Sequence, residues 1–206
     1  MALRDAPPED GQFGRYWAGV RQGADRLTLL AQDVEMMVRL GTDHGGNKVR
    51  GGIGLRPDLT DILTVITQQD EALAAQDGIQ LEAAVEPGLP PVMLDASLFI
   101  DALGRLLDNA IKFSRDQGER ISLKAERRGG WVDVSVADQG VGIDPEALPS
   151  LFDRLHQVER DEMEQGGLGL GLFIARRIIE LHDGHVSVES TPGEGSTFVI
   201  RLPVAD

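Results

Sequence analysis

The sequence predicts an α/β sandwich of two layers, preceded by a long N-terminal helix. Three observations lead there. Apolar residues recur with heptad spacing through the first forty positions, the mark of one continuous helix. Past a glycine cluster the pattern changes to short alternating strands interspersed with amphipathic helices. The strands fall mostly in pairs around turn signals, and the few helices suffice to cover one face of a sheet.

Taken in order, residues 1–11 read as loop, with Pro7-Pro8 and several charges. Phe13, Trp17, Val20, Ala24, Leu27, Ala31, Val34 and Val38 then step alternately by four and three, a seam that needs partner helices or a domain surface to lie on. Gly19 and Gly23 weaken its first half. The six glycines of residues 41–54 form a hinge or turn cluster. After it come a strand near Ile53–Arg56, a helix over 58–77, a strand Ile79–Val85 and a loop from Pro87 to Pro91. A helix runs from Ala96 to Ser114, with Phe99, Leu103, Leu106, Leu107 and Ala110 on its apolar face. Strands at 120–127 and 131–138 flank a Gly129-Gly130 turn, and a short helical piece follows Pro145. A helix at 168–182 and strands at 185–190 and 196–202 complete the chain.

Composition narrows the function. Hydrophobic residues make up 41% of the 206 and aromatics 4%, so the core must be aliphatic. Twenty Lys and Arg against 34 Asp and Glu leave a net charge of −14, which disfavours nucleic acid as partner. Any anionic ligand must be held locally, by backbone N–H groups or a metal. The absence of cysteine excludes disulfides, thiolate zinc sites and a cysteine nucleophile. No apolar run is long enough to span a membrane and no signal peptide opens the chain, so a cytoplasmic location is expected.

Chemistry concentrates in four segments. Arg105, Asn109 and Lys112 share one polar stripe of a helix, where Asn can offer oxygen to a hard cation and Lys a charge to phosphate; a plain solvated face is the alternative. Asp138 continues the row Val132, Val134, Val136, and a buried carboxylate needs a donor, either a ligand amino group or the turn it caps. Gly140 and Gly142 allow close approach there. Gly166 to Leu172 open a helix with glycines, which suits an anion but is neither a P-loop nor a Rossmann turn. Phe152 looks like an anchor beside a charged loop, where Arg154 can meet phosphate or water.

In this order the segments resemble sensor histidine kinases of two-component systems: LLDNAIKFS their N box, DQGVGI the G1 box, LFDRL the F box and GGLGLGL the G2 box. HDGHVSVESTPGEGSTFVIRLP resembles the closing hairpin of the same catalytic domain, and the likeness covers residues 53–204. It implies a Bergerat-type ATP-binding fold of the GHKL superfamily, a mixed sheet covered on one face by helices. RYWAGVRQGADRLTLLAQDVEMMVRL resembles the second helix of the family's dimerisation hairpin, which makes 1–11 the remnant of the interhelix loop, 12–41 a partial dimerisation helix, 42–52 a hinge and 53–206 the catalytic domain. His44, His156, His182 and His185 all stand in the wrong context for the phosphoacceptor, which is expected on a helix outside this chain.

The resemblance implies ATP and Mg²⁺ as ligands, with Asn109, Lys112 and Arg154 as the catalytic set and Asn109 on the metal. Phe113 would lie by the base or ribose, and Asp138 would accept from the adenine amino group, with Ser196 sharing a water. Gly140 and Gly142 would shape the adenine pocket, while Gly167, Leu168, Gly169, Leu170 and Gly171 would wrap the phosphates. Implied partners are the acceptor helix of the parent kinase, the receiver domain of a response regulator and a second copy of the chain. Two positions depart from the family pattern: Arg105 stands where a polar Asn or Glu is usual, and Leu155 replaces the F box's second aromatic. Arg105 keeps open a second reading, a nucleotide-binding regulator without transfer; a third is an adaptor that dimerises through the helix 13–40 and docks a response regulator.

Overall fold

The computed structural model describes residues 12–41, 56–114, 120–153 and 169–205. Four helices and five strands follow in the order α1 (Gln12–Gly41), α2 (Leu59–Gln76), β1 (Gln80–Val85), α3 (Ala96–Ser114), β2 (Arg120–Arg128), β3 (Trp131–Asp138), α4 (Gly171–Leu181), β4 (His185–Thr191) and β5 (Gly195–Pro203). The sheet order is β1-β2-β3-β5-β4. β1 runs parallel to β2, because α3 carries the chain back over the sheet between them. The other neighbours are antiparallel, and β2–β3 and β4–β5 are hairpins.

Strict alternation divides the two faces. Ile121, Leu123 and Ala125 of β2, Val132, Val134 and Val136 of β3, and Phe198, Ile200 and Leu202 of β5 are buried beneath α2, α3 and α4. The opposite face turns Lys124, Glu126, Ser187 and Glu189 to solvent. This is the expected two-layer sandwich with a mixed sheet. Asp133, on that polar face yet buried, is matched by Arg201 across the β3–β5 pair, with Nε 2.6 Å from Oδ1.

The expected helix at 168–182 is regular from Gly171, and the piece after Pro145 is a single 3₁₀ turn, Leu148–Ser150. Of the strand expected near residue 53, Arg56 has no regular structure and 53–55 lie outside the described residues, as do residues 1–11 and the glycine cluster from 42 on. Helix α1 serves two surfaces. Met36, Met37 and Leu40 pack its C-terminal turns onto the domain core. The heptad seam turns elsewhere: Trp17, Val20, Leu27, Val34 and Val38 are exposed, Leu27 at 69%.

His182 fastens the far end of the domain. Its Nε2 accepts the Asp95 N–H at 2.9 Å, so Nδ1 carries the proton and donates to Ile178 O at 2.7 Å. Asp95 in turn caps α3 through the N–H groups of Ser97 and Leu98. Burial holds the His182 pKa below its ordinary value, against the opposing pull of the Ile178 carbonyl and Asp95. A depressed folded pKa gives stability that is present above about pH 6.5 and lost as pH falls toward the folded value. Asp95, lowered mainly by its Ser97 hydrogen bond, adds acid sensitivity only below about pH 4. Resistance of the wild type to urea should therefore fall as pH drops below about 6.5. His182→Ala should cost about 2 kcal/mol at pH 8 and flatten that slope; a variant retaining the slope would refute the assignment.

Candidate nucleotide-binding site

Three segments converge at the C-terminal end of β3. Asp138 closes the valine row, 9% exposed, and its Oδ1 accepts two backbone N–H groups: Gly140 at 2.9 Å and Ser196 at 3.2 Å. Burial raises its pKa and these two bonds lower it, with burial prevailing. Among the described residues no donor reaches Oδ2. The carboxylate thus caps its turn, as one of the two alternatives has it, and Oδ2 is left without a protein donor among these residues.

The glycines after Asp138 are required by contacts with protein backbone. A Cβ on Gly140 would collide with the carbonyl of Phe113 at the end of α3, to which Val141 N–H also donates at 3.3 Å. Gly142 has φ +67, and a Cβ there would strike the carbonyl of Thr191. Gly193 N–H donates to Val141 O at 2.8 Å, completing the seam between this loop and the β4–β5 turn.

Sequence reasoning missed Ser190 and Gly195. The Ser190 hydroxyl donates to Gly195 O at 2.8 Å and accepts from Ile143 N–H at 2.8 Å, while its Oγ lies 3.0 Å from Ser196 Oγ. The only available signal was their place at the TPGEG turn, Ser190 just before it and Gly195 as its last residue. Ser196 meets Asp138 through its backbone N–H and is buried beside it.

Along α3 the apolar face is sealed in the core and the polar stripe is partly exposed. Asn109 has no hydrogen bond among the described residues, so its carboxamide is unclaimed. Lys112 Nζ lies 5.1 Å from the ring centroid of Phe113, and that ring is 39% exposed. Arg105, expected on the same stripe, is engaged: Nε lies 2.9 Å from Asp101 Oδ2 and Nη1 2.7 Å from Asp33 Oδ1 on α1. Burial opposes its charge, but the bonds to Asp101 and Asp33 hold its pKa above the ordinary value.

At the start of α4, Gly169 has φ +68, and Leu170 buries its side chain in the core, leaving only backbone to offer a ligand. Gly171 opens the helix beside Arg105, whose Nη1 is 3.9 Å from where a Cβ would stand. Phe152 packs edge-on against Phe198 with centroids 6.4 Å apart, the anchor expected of it. Arg154, Gly167 and Leu168 lie outside the described residues.

A polar helix stripe, a carboxylate at a strand end and a glycine-opened helix, in this chain order, can hold a base at one end and phosphates at the other. Comparison with known proteins agrees. Residues 94–206 match the family model described as histidine kinase-, DNA gyrase B- and HSP90-like ATPase. The chain belongs to this family.

Its relatives within the family are sensor histidine kinases. The sensor-like histidine kinase SenX3 of Mycobacterium tuberculosis is 36% identical over 194 residues, covering 89% of this chain and 45% of SenX3. The adaptive-response sensory kinase SasA of Prochlorococcus marinus is 35% identical over 150 residues, covering 72% of this chain and 39% of SasA. Full-length ShkA, crystallised with AMPPNP, superposes with a TM-score of 0.73 at 27% identity, covering 97% of this chain and 40% of ShkA. The chain spans less than half the length of each of these proteins.

The loop contacts of this ATPase-family domain make a specific forecast. Gly142→Ala combines positive-φ strain with a backbone collision and should cost about 2–3 kcal/mol, lowering Tm by roughly 5–10 °C. Gly193→Ala has φ +81 but open space around it, and should cost only about 1 kcal/mol. Equal melting shifts for the two variants would remove the close packing as the reason for Gly142.

Proposed function

We propose that this chain is the donor half of a two-component sensor histidine kinase, binding ATP with Mg²⁺ for transfer of the γ-phosphoryl group to a histidine on a helix outside the chain. Asp138 carries the reading. A carboxylate buried at the end of a valine row, with both its protein hydrogen bonds on one oxygen, leaves the other to accept from an amino group. Adenine has such a group; guanine presents a carbonyl there and would set acceptor against acceptor, which accounts for choice of ATP over GTP.

The unclaimed carboxamide of Asn109 suits a hard cation; Mg²⁺ held there would neutralise phosphate charge and offset the acidic field of the chain. Lys112 and Arg154 supply positive charge toward the phosphates, and Phe113 offers an exposed ring to the base or ribose. The start of α4, at Gly169, Leu170 and Gly171, offers backbone N–H groups to an anion, and the same role is proposed for Gly167 and Leu168, outside the described residues. Gly140 and Gly142 keep Asp138 at the pocket by their contacts with Phe113 and Thr191. Positioning and charge neutralisation are what such a site contributes to phosphoryl transfer.

The exposed seam of α1 is the proposed dimer contact, since Trp17, Val20, Leu27, Val34 and Val38 are left uncovered along one helix. A receiver domain of a response regulator is the proposed downstream partner, and the cytoplasm the proposed location, with the parent protein possible in membrane-anchored form. Among the described residues no helix is long and apolar enough to cross a membrane.

Calorimetric titration with ADP tests the site. Wild type should bind, and tighter with Mg²⁺; Asp138→Asn, which turns a donor toward the adenine amino group, should weaken binding about 10- to 100-fold with little change in Tm. Asn109→Ala should bind equally with and without Mg²⁺. A folded wild type that binds no nucleotide would turn the reading to a degenerate relative or an adaptor. Sedimentation should show a dimer whose population falls sharply in Leu27→Glu; a monomer at all concentrations would remove the seam as the dimer contact of this chain.

A further inference from the structure

Arg105 lies at a junction of three helices. It stands one turn before Asn109 on α3, and its guanidinium is held from two sides, by Asp101 of the same helix and by Asp33 of α1. The Asp33–Arg105 side chains are each only 17% exposed, so solvent and salt screen this pair less than a surface contact. It reinforces the packing of Met36, Met37 and Leu40, which seats the same turns of α1 on the domain. The Nη1 atom that meets Asp33 is also the one nearest Gly171, where α4 begins. The guanidinium is therefore within a side chain's reach of the end of the site assigned above to the phosphates.

A guanidinium is a planar fork, and an N–H group aimed at one carboxylate is not available to a phosphate in another direction. Asp33 and a nucleotide phosphate are then rival partners for one cation. We propose that Arg105 couples the docking of α1 to nucleotide binding: held by Asp33, it fixes α1 on the ATP-binding domain and is withheld from the phosphates; released, it pairs with a phosphate. Linkage makes the effect reciprocal, so that phosphate engagement loosens α1 by the factor by which release of α1 tightens the nucleotide. The inference rests on the nucleotide reading of the site and adds to it a route by which the helix bearing the dimer seam affects that site.

The test is a cycle of Asp33→Asn, Arg105→Gln and the double variant, each in the 206-residue chain. ADP with Mg²⁺ and adenosine alone are titrated calorimetrically, and amide hydrogen exchange of residues 33–40 is followed with and without ADP. Asp33→Asn should tighten ADP about three- to tenfold and leave adenosine unchanged, because only ADP carries phosphate. Arg105→Gln should abolish that gain, so the double variant binds like Arg105→Gln. Both single variants should speed exchange in residues 33–40, and ADP should do so in the wild type. ADP binding unmoved by Asp33→Asn would overturn the coupling and leave the nucleotide site standing. So would an equal gain in the Arg105→Gln background, which would show only the removal of a repelling charge. Absence of ADP binding from every folded variant would overturn both readings.

Discussion

A single oxygen, Asp138 Oδ1, ties the loop after β3 to the first residues of β5 by accepting from Gly140 and Ser196. The two segments are distant in sequence, yet the geometry of both is set by the position of one strand-end side chain. That position is fixed by the valine row beneath it, which is sealed by α3 and α4. Displacing β3 would release the turn, the Phe113–Gly140 contact and the Ser190 bonds together. The charge needed at the surface of the site is thus held in place by the most apolar part of the domain.

Helix α3 links this end to the other. Its buried face, from Leu98 to Ile111, fixes its rotation about its own axis, and that rotation decides what the polar stripe faces. Asn109 and Lys112 are left partly open, whereas Arg105 is drawn into ion pairs. One amphipathic pattern therefore yields neighbours with different duties. The difference arises from the surroundings, since Asp33 of α1 and Asp101 both reach Arg105.

Much of this was legible in the sequence. Both ends of α3 and the start of each strand in the β2–β3 pair match the expectations drawn from helical periodicity, apolar alternation and the Gly129-Gly130 turn. Asp138 was marked by its parity with three valines. What could not be read depends on contacts between segments far apart. The parallel pairing of β1 with β2 is a matter of where α3 lands, and the clamp by Ser190 joins two backbone groups, of Ile143 and Gly195, and the hydroxyl of Ser196. The Asp33–Arg105 pair spans 72 positions; heptad spacing identified the seam of α1 but carried no information about the residues beside it. The departure at Arg105 was visible as an unusual residue, without its partner.

Among the described residues α1 is seated by its last turns, and this also has a mechanical side. From Tyr16 to Leu29 the large apolar residues of this helix are mostly exposed, so its N-terminal part extends from the seated end as a lever. With about 1.5 Å of rise per residue, twenty residues make an arm of roughly 30 Å, and a tilt of about 10° at the seat sweeps the far end through roughly 5 Å. Shifts at the seat too small to disturb the core would arrive at the far end as displacements the size of a side chain. Run in reverse, a push on the far end acts on Asp33 and Leu40 with the full advantage of that arm.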